Sequence, residues 1–264
     1  MSKPPGPFEA SMCVLAFAWQ AHPRWRLLLA GNRDELHARP AQALERWQEP
    51  DHLLAGRDLQ SGGTWLGVSE QGRLAVVTNL RGFGLPEPGL ASRGALVTDY
   101  LAGNGAYADA LTADLSAFNP VNLIVADRRG AHFLSNRPDI TRSTLASGLY
   151  GLSNGRLDEP WPKTMRLKSR LLDWITGDAT DPELLFDGLR EQVLPDIGLE
   201  PHTPSDVPQE PLHSPIFIHN PVYGTRCSTI VAIDMSGRGV IMERRFSADG
   251  DETGRTSLPF SWPE

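Results

Sequence analysis

The chain has 264 residues and a formal net charge of −7 at pH 7. That length can bury a full core, and an acidic balance with no compensating basic block argues against general binding to nucleic acid or anionic membranes. Two cysteines do not make a disulfide framework and predict a reducing compartment, hence a cytoplasmic protein; no apolar stretch reaches the length needed for stable membrane insertion.

The opening MSKPPGPFEAS lacks the apolar segment of a secretory signal. Residues 1–12 are predicted to be a disordered extension; a misassigned start, a removable pro-segment and a genuine tail all fit it. Residues 13–264 show no internal repeat and no linker between two cores, which predicts one domain. Cys13–Trp19 and Trp25–Ala30 are short apolar runs around the turn-like QAHPR, an antiparallel hairpin pattern. A turn near His22 places Cys13 about opposite Asn32 and Arg33. The thiol and the polar cluster Asn32-Arg33-Asp34-Glu35 then share one end of the hairpin.

A second hairpin is predicted over Trp65–Val68 and Leu74–Asn79, turning at Gln71-Gly72. Ser92 can cap a helix over Arg93–Leu101, and YADALTADLSAF (107–118) reads as another. VNLIVADRRGAHFLSN is a third hairpin, turning at Arg128–Gly130, and Leu149–Asn154 a further strand. PWPKTMRLKSRLLDWI predicts a helix with Met165, Leu167, Leu171, Leu172 and Ile175 at broadly helical spacing and Lys and Arg between them. DPELLFDGLREQVL predicts a helix capped by Asp181 with Pro182 at its first position. Leu194–Thr225 is proline-rich and reads as a long functional loop or lid. STIVAID and GVIMERRF close the chain as a hairpin across Met235–Arg238. Strands at both ends with helices mainly between them define an α+β class with largely antiparallel sheet.

Cys13 is the first chemical candidate. If Met12 is the initiator, cysteine is small enough for the methionine to be removed; if the longer chain is made, cleavage before Cys13 is required. Either route gives a terminal residue that is both nucleophile and base, with an α-amine titrating at about 8. The thiolate is the reactive form, and a nearby Arg favours it. The alternative is a buried packing cysteine. Arg33 can lower the thiol pKa or hold a carboxylate, and Asp34 can orient the α-ammonium or Arg33; otherwise the cluster is a solvated turn. Asn79 and Asn154 each follow a strand-like run, where an amide suits a developing oxyanion or simply caps a turn. Arg226 could add a second cation, while Cys227 has no base and reads as packing.

MCVLAF, LAGNRDE, AGRDLQSGGTWLGVSEQGRLAVVTNLR, YGLSNG and PWPKT, in this order over most of the chain after residue 12, resemble the NRDE family, also called the transport and Golgi organisation family. That family resembles the cysteine branch of the N-terminal nucleophile (Ntn) hydrolases, which contains choloylglycine hydrolase and penicillin V acylase. The resemblance implies a four-layer αββα sandwich of two antiparallel sheets. It matches the branch's nucleophile to Cys13, its Arg and Asp to Arg33 and Asp34, its two Asn to Asn79 and Asn154, and its late Arg to Arg226. Arg33 and Asp34 are adjacent, whereas the branch separates them. Neighbours on a strand point to opposite faces, so one of the two faces Cys13, or Asn32 takes a branch position in substrate binding. The resemblance also implies an alternative, a non-catalytic carrier of haem, acyl-coenzyme A or lipid, with Cys13 or a loop histidine as haem ligand.

The remaining signals are weaker. GRDLQSGGTWLG lacks the Gly-Lys-Ser/Thr of a phosphate loop; Gly62 and Gly63 are assigned to the backbone turn, and Arg57-Asp58 to a salt-bridged turn. The histidines lack zinc-type spacing, so no metal is expected, and His213 and His219 are expected to be exposed. Trp65 and Trp161 are the expected pocket liners. The leading expectation is an enzyme acting on an amide or related acyl bond of a small molecule, with no cofactor.

Overall fold

Short runs rich in Leu, Val and Ala become the central strands, and the computed structural model describes residues 13–193 and 214–263. In chain order these are β1 (Val14–Trp19), β2 (Trp25–Leu36), β3 (Ala41–Arg46), β4 (Leu53–Asp58), β5 (Leu66–Ser69), β6 (Arg73–Asn79), helix α1 (Arg93–Ala102) and β7 (Val121–Asp127). There follow β8 (Ala131–Ser135), β9 (Thr141–Leu145), β10 (Gly148–Leu152), helices α2 (Pro162–Thr176) and α3 (Leu185–Leu189), and β11 (Tyr223–Asp234), β12 (Arg238–Phe246) and β13 (Glu252–Ser261). One sheet runs β10-β1-β2-β11-β12-β13 and the other β3-β4-β5-β6-β7-β8-β9, with every strand pair antiparallel.

Three apolar layers hold these elements. Leu15, Phe17, Leu27 and Leu29 of the first sheet meet Leu54, Val68, Leu74 and Ile124 of the second. Leu96, Val97 and Leu101 of α1 pack on Ala75, Leu123 and Val125. Leu167, Leu171 and Trp174 of α2, with Phe186 and Leu189 of α3, cover Val14, Ala16, Leu28 and Ile230. Helix, sheet, sheet and helix therefore stack as an αββα sandwich. Alternation along β1 and β2 sends one set of residues between the sheets and the other toward α2.

Several expectations are corrected. Residues 107–118 form turns and a short 3-10 stretch, Leu115–Ala117. Asp109 accepts from the Leu111 N–H and Asp114 from the Ser116 N–H, so side chains bond the backbone that a helix would use. The helix after Asp181 is broken into a 3-10 turn and α3 and ends by Arg190, with Leu194 outside the described residues. Ser92 makes no side-chain cap bond. In α2, Met165 and Leu172 are exposed while Lys163 is buried. Strand β2 continues through the polar cluster rather than ending before it. The expectations for residues 1–12, for 194–213 of the loop and for His213 fall outside the described residues; His219 is exposed.

Candidate functional site

Strands β1 and β2 fix the position of Cys13. Val14 pairs with Asn32, so Cys13, one residue earlier, lies beside Arg33. Cys227 of β11 pairs with Arg33 from the other side. Cys13 is half-buried, and the Asp34 backbone N–H donates to its sulfur. Burial pushes the thiol up to about 11 and the Asp34 and Glu35 carboxylates add to the rise, against the Asp34 N–H and the Arg33 charge.

Arg33 and Asp34 point to opposite faces of β2. Arg33 turns between the sheets, with Cζ 4.5 Å from the Trp65 ring centroid and Nη2 3.4 Å from Asp58 Oδ2. Asp58 also accepts from Arg39 Nε at 2.6 Å. Arg57 instead donates to the Gly62 carbonyl and stacks on Trp47. The expected Arg57-Asp58 pair is thus replaced by Arg33–Asp58–Arg39. Cys13, Arg33, Trp65, Val77, Thr78 and Thr229 are among the lining of a cavity of about 20 Å³, roughly room for one water. A larger cavity of about 290 Å³, bounded by Phe186, Arg244 and Arg255 among others, shares no lining residue with it.

Asp34 turns the other way, toward β11 and α2. Its Oδ1 accepts from Thr225 Oγ1 at 2.6 Å, while Oδ2 has no hydrogen-bond partner. Burial pushes this carboxyl up to about 7, opposed chiefly by the Lys163 charge. Lys163 is 1% exposed and its Nζ lacks a hydrogen-bond partner. Burial pulls the ammonium down to about 8, against the attraction of Asp34 and Cys13.

The loop after β10 closes the site. Ser153 Oγ donates to the Cys13 carbonyl at 2.6 Å, and Thr78 Oγ1 donates to the Ser153 carbonyl. Asn154, fully buried, donates from Nδ2 to the Asn79 carbonyl at 2.7 Å. Asn79, half-buried at the end of β6, has no side-chain hydrogen bond among the described residues. Trp161 precedes α2 and is buried, but unlike Trp65 it is not among the residues lining the cavity beside Cys13.

Two expected site residues have other work. Asn32 Nδ2 donates to the carbonyls of Leu189 and Ile216, and its Oδ1 accepts from Ser228; it ties β2 to α3 and β11, with no free group for a ligand. Arg226 Nη1 donates to the carbonyls of Leu36 and Arg39, which fixes the chain leaving β2. Sequence reasoning missed Lys163, Ser153 and Thr225. Lys163 carried one readable signal: a cation in the first turn of a helix opposes the helix dipole. Among the described residues no cluster of His, Cys, Asp and Glu could hold a metal ion.

Two facing antiparallel sheets covered by helices, with a cysteine at the head of the first strand of one sheet, make this an Ntn-hydrolase-like fold. A cysteine-to-alanine mutant of conjugated bile acid hydrolase from Clostridium perfringens superposes with a TM-score of 0.51 at 8% identity, over 94% of this chain and 92% of that one; the likeness is one of fold. Residues 12–248 match the family Transport and Golgi organisation 2, and the chain belongs to it. The Transport and Golgi organization protein 2 homologs of Bos taurus and Homo sapiens are each 32% identical over 260 residues, covering 88% of this chain and 92% of theirs.

Proposed function

We propose that this protein is a cysteine-nucleophile hydrolase that cleaves an amide or related acyl bond of a small molecule in the cytoplasm. The observation that carries the reading is that Cys13 and Arg33 line one cavity; Asn79 joins them through the loop whose Asn154 bonds its carbonyl and whose Ser153 bonds that of Cys13. Cleavage before Cys13 frees an α-amine, which takes the thiol proton as sulfur attacks the carbonyl carbon. Asn79 donates to the oxyanion, with Asn154 holding the Asn79 backbone in place. The tetrahedral intermediate expels the amine, which takes back the proton, and water then hydrolyses the thioester.

A non-catalytic carrier of acyl-coenzyme A or lipid is the competing reading, and the high thiol pKa of the uncleaved chain favours it. The cavity beside Cys13, about 20 Å³, is too small for haem, an acyl chain or a substrate as it stands, so each reading requires it to open, and no role is derived through haem. Hydrolysis of a panel of N-acyl amides by purified protein, with intact mass in parallel, separates the readings. Loss of residues 1–12 and turnover abolished by Cys13→Ala support the enzyme. Tight acyl-coenzyme A binding by uncleaved protein, unchanged in Cys13→Ala and without turnover, supports the carrier.

A further inference from the structure

Lys163 is the one lysine among the buried polar and charged side chains of the described residues. It enters from the first turn of α2, where the helix dipole disfavours a cation. No hydrogen bond satisfies its amine, and Arg81 adds a repulsive charge. An unpaired buried charge is a stability cost, so packing does not account for the residue. Two groups favour its charge, Asp34 and Cys13. From the other side, Lys163 is the largest charge favouring ionised Asp34, ahead of Arg33 and opposed by Glu35.

We propose that Lys163 is a positioning residue of the Cys13 site: its buried cation counters Asp34 and stabilises the Cys13 thiolate. This rests on Cys13 being the working nucleophile. Asp34 alone would place a negative charge next to the developing thiolate and oppose its formation; Lys163 across from it cancels that field. When the thiol gives up its proton, the negative charge left on sulfur adds to Asp34, and Lys163 is the cation on the α2 side that balances the pair. Arg33 also favours the thiolate, from the opposite face of β2, where it pairs with Asp58 and Glu35.

Opposite charges have opposite effects on one thiol, and this makes the proposal testable. The rate of Cys13 alkylation by iodoacetamide is measured in the full chain at pH 8, with Cys227 as internal reference. Removing the cation with Lys163→Met is expected to slow capture of Cys13 on the order of tenfold, and removing the anion with Asp34→Asn to speed it by a similar factor, because one pKa unit is tenfold in thiolate fraction. Simple loosening of the packing would expose the thiol and accelerate both. Changes in the same direction, or neither rate moving more than about twofold, overturn the proposal. Should Lys163→Met not fold, Lys163→Gln removes the same charge with a polar side chain, and a rate no slower than the parent's contradicts the proposal. The readout follows the thiol itself, so absence of turnover or of N-terminal cleavage would sink the hydrolase reading while these rates still test Lys163.

Discussion

Arg33 and Asp34 are neighbours in the chain with side chains on opposite faces of β2, one held by Asp58 and Trp65 between the sheets, the other by Thr225 beneath α2. One dipeptide thereby supplies a cation to one side of Cys13 and a carboxylate to the other. The adjacency that departs from the cysteine-hydrolase pattern is used to address two layers of the sandwich at once.

Asp34 makes stability fall with pH. Its folded pKa, about 7, lies above the ordinary carboxylate value of 3.8, so between those values the folded state holds a proton that the unfolded chain has released. Stability therefore falls as pH rises from about 4 to 7 and is flat above, at about 1.4 kcal/mol per pKa unit. Urea denaturation across this range is expected to show the fall, and Asp34→Asn to remove it.

Asp58 works with the opposite sign. Burial opposes its charge, yet the Arg39 hydrogen bond, the Ser61 N–H and the Arg39 and Arg33 charges hold it below the usual carboxylate range. Its contribution is present above the unfolded pKa and is lost as pH falls through the lower folded one. Asp58→Asn is expected to cost about 3 kcal/mol at pH 7, because it leaves Arg33 buried with a weakened partner. Chemical denaturation reads this directly.

Asn79 and Asn154 are expected to separate kinetically. Asn154 is committed to the Asn79 carbonyl, so Asn154→Ala should lower both stability, by about 1 kcal/mol, and turnover. Asn79 presents an uncommitted amide, so Asn79→Ala should leave the melting temperature nearly unchanged while kcat falls about 100-fold or more. Equal effects of the two on stability would remove Asn79 as the oxyanion donor.

Gly56 on β4 gives Trp65 its place over Arg33. A Cβ there would lie 2.5 Å from the Trp65 ring. Gly56→Ala is expected to push the indole off the guanidinium, change tryptophan emission and destabilise the fold by about 1–3 kcal/mol. An unchanged emission spectrum would show that the ring does not need this contact.

Strands β1, β6 and β7 and the first half of β2 were legible in sequence because their apolar runs are uninterrupted, burying both faces in the sandwich. Strands β3 and β13 are largely exposed, and TRSTL in β9 is exposed at four of five positions, so polar composition hid them. The helix expected over 107–118 failed because Asp109 and Asp114 capture local N–H groups. Around Cys13 the register was readable from the hairpin, and Cys13, Arg33 and Asp34 fall near one another as their spacing suggested. Asn32 and Arg226 bond main-chain carbonyls, and in sequence an amide or guanidinium so bonded looks like one aimed at a ligand. Lys163 was hidden by its company, since a lysine among the charged residues of an amphipathic helix reads as solvated.

Acyl transfer to sulfur is most directly seen by mixing the purified protein with an activated ester, quenching in acid within one turnover, and measuring intact and peptide masses. A chain beginning at Cys13, carrying one acyl group on that residue and none on Cys227, is the expected result. A full-length chain with no adduct, or an adduct confined to Cys227, would contradict a nucleophilic role for Cys13.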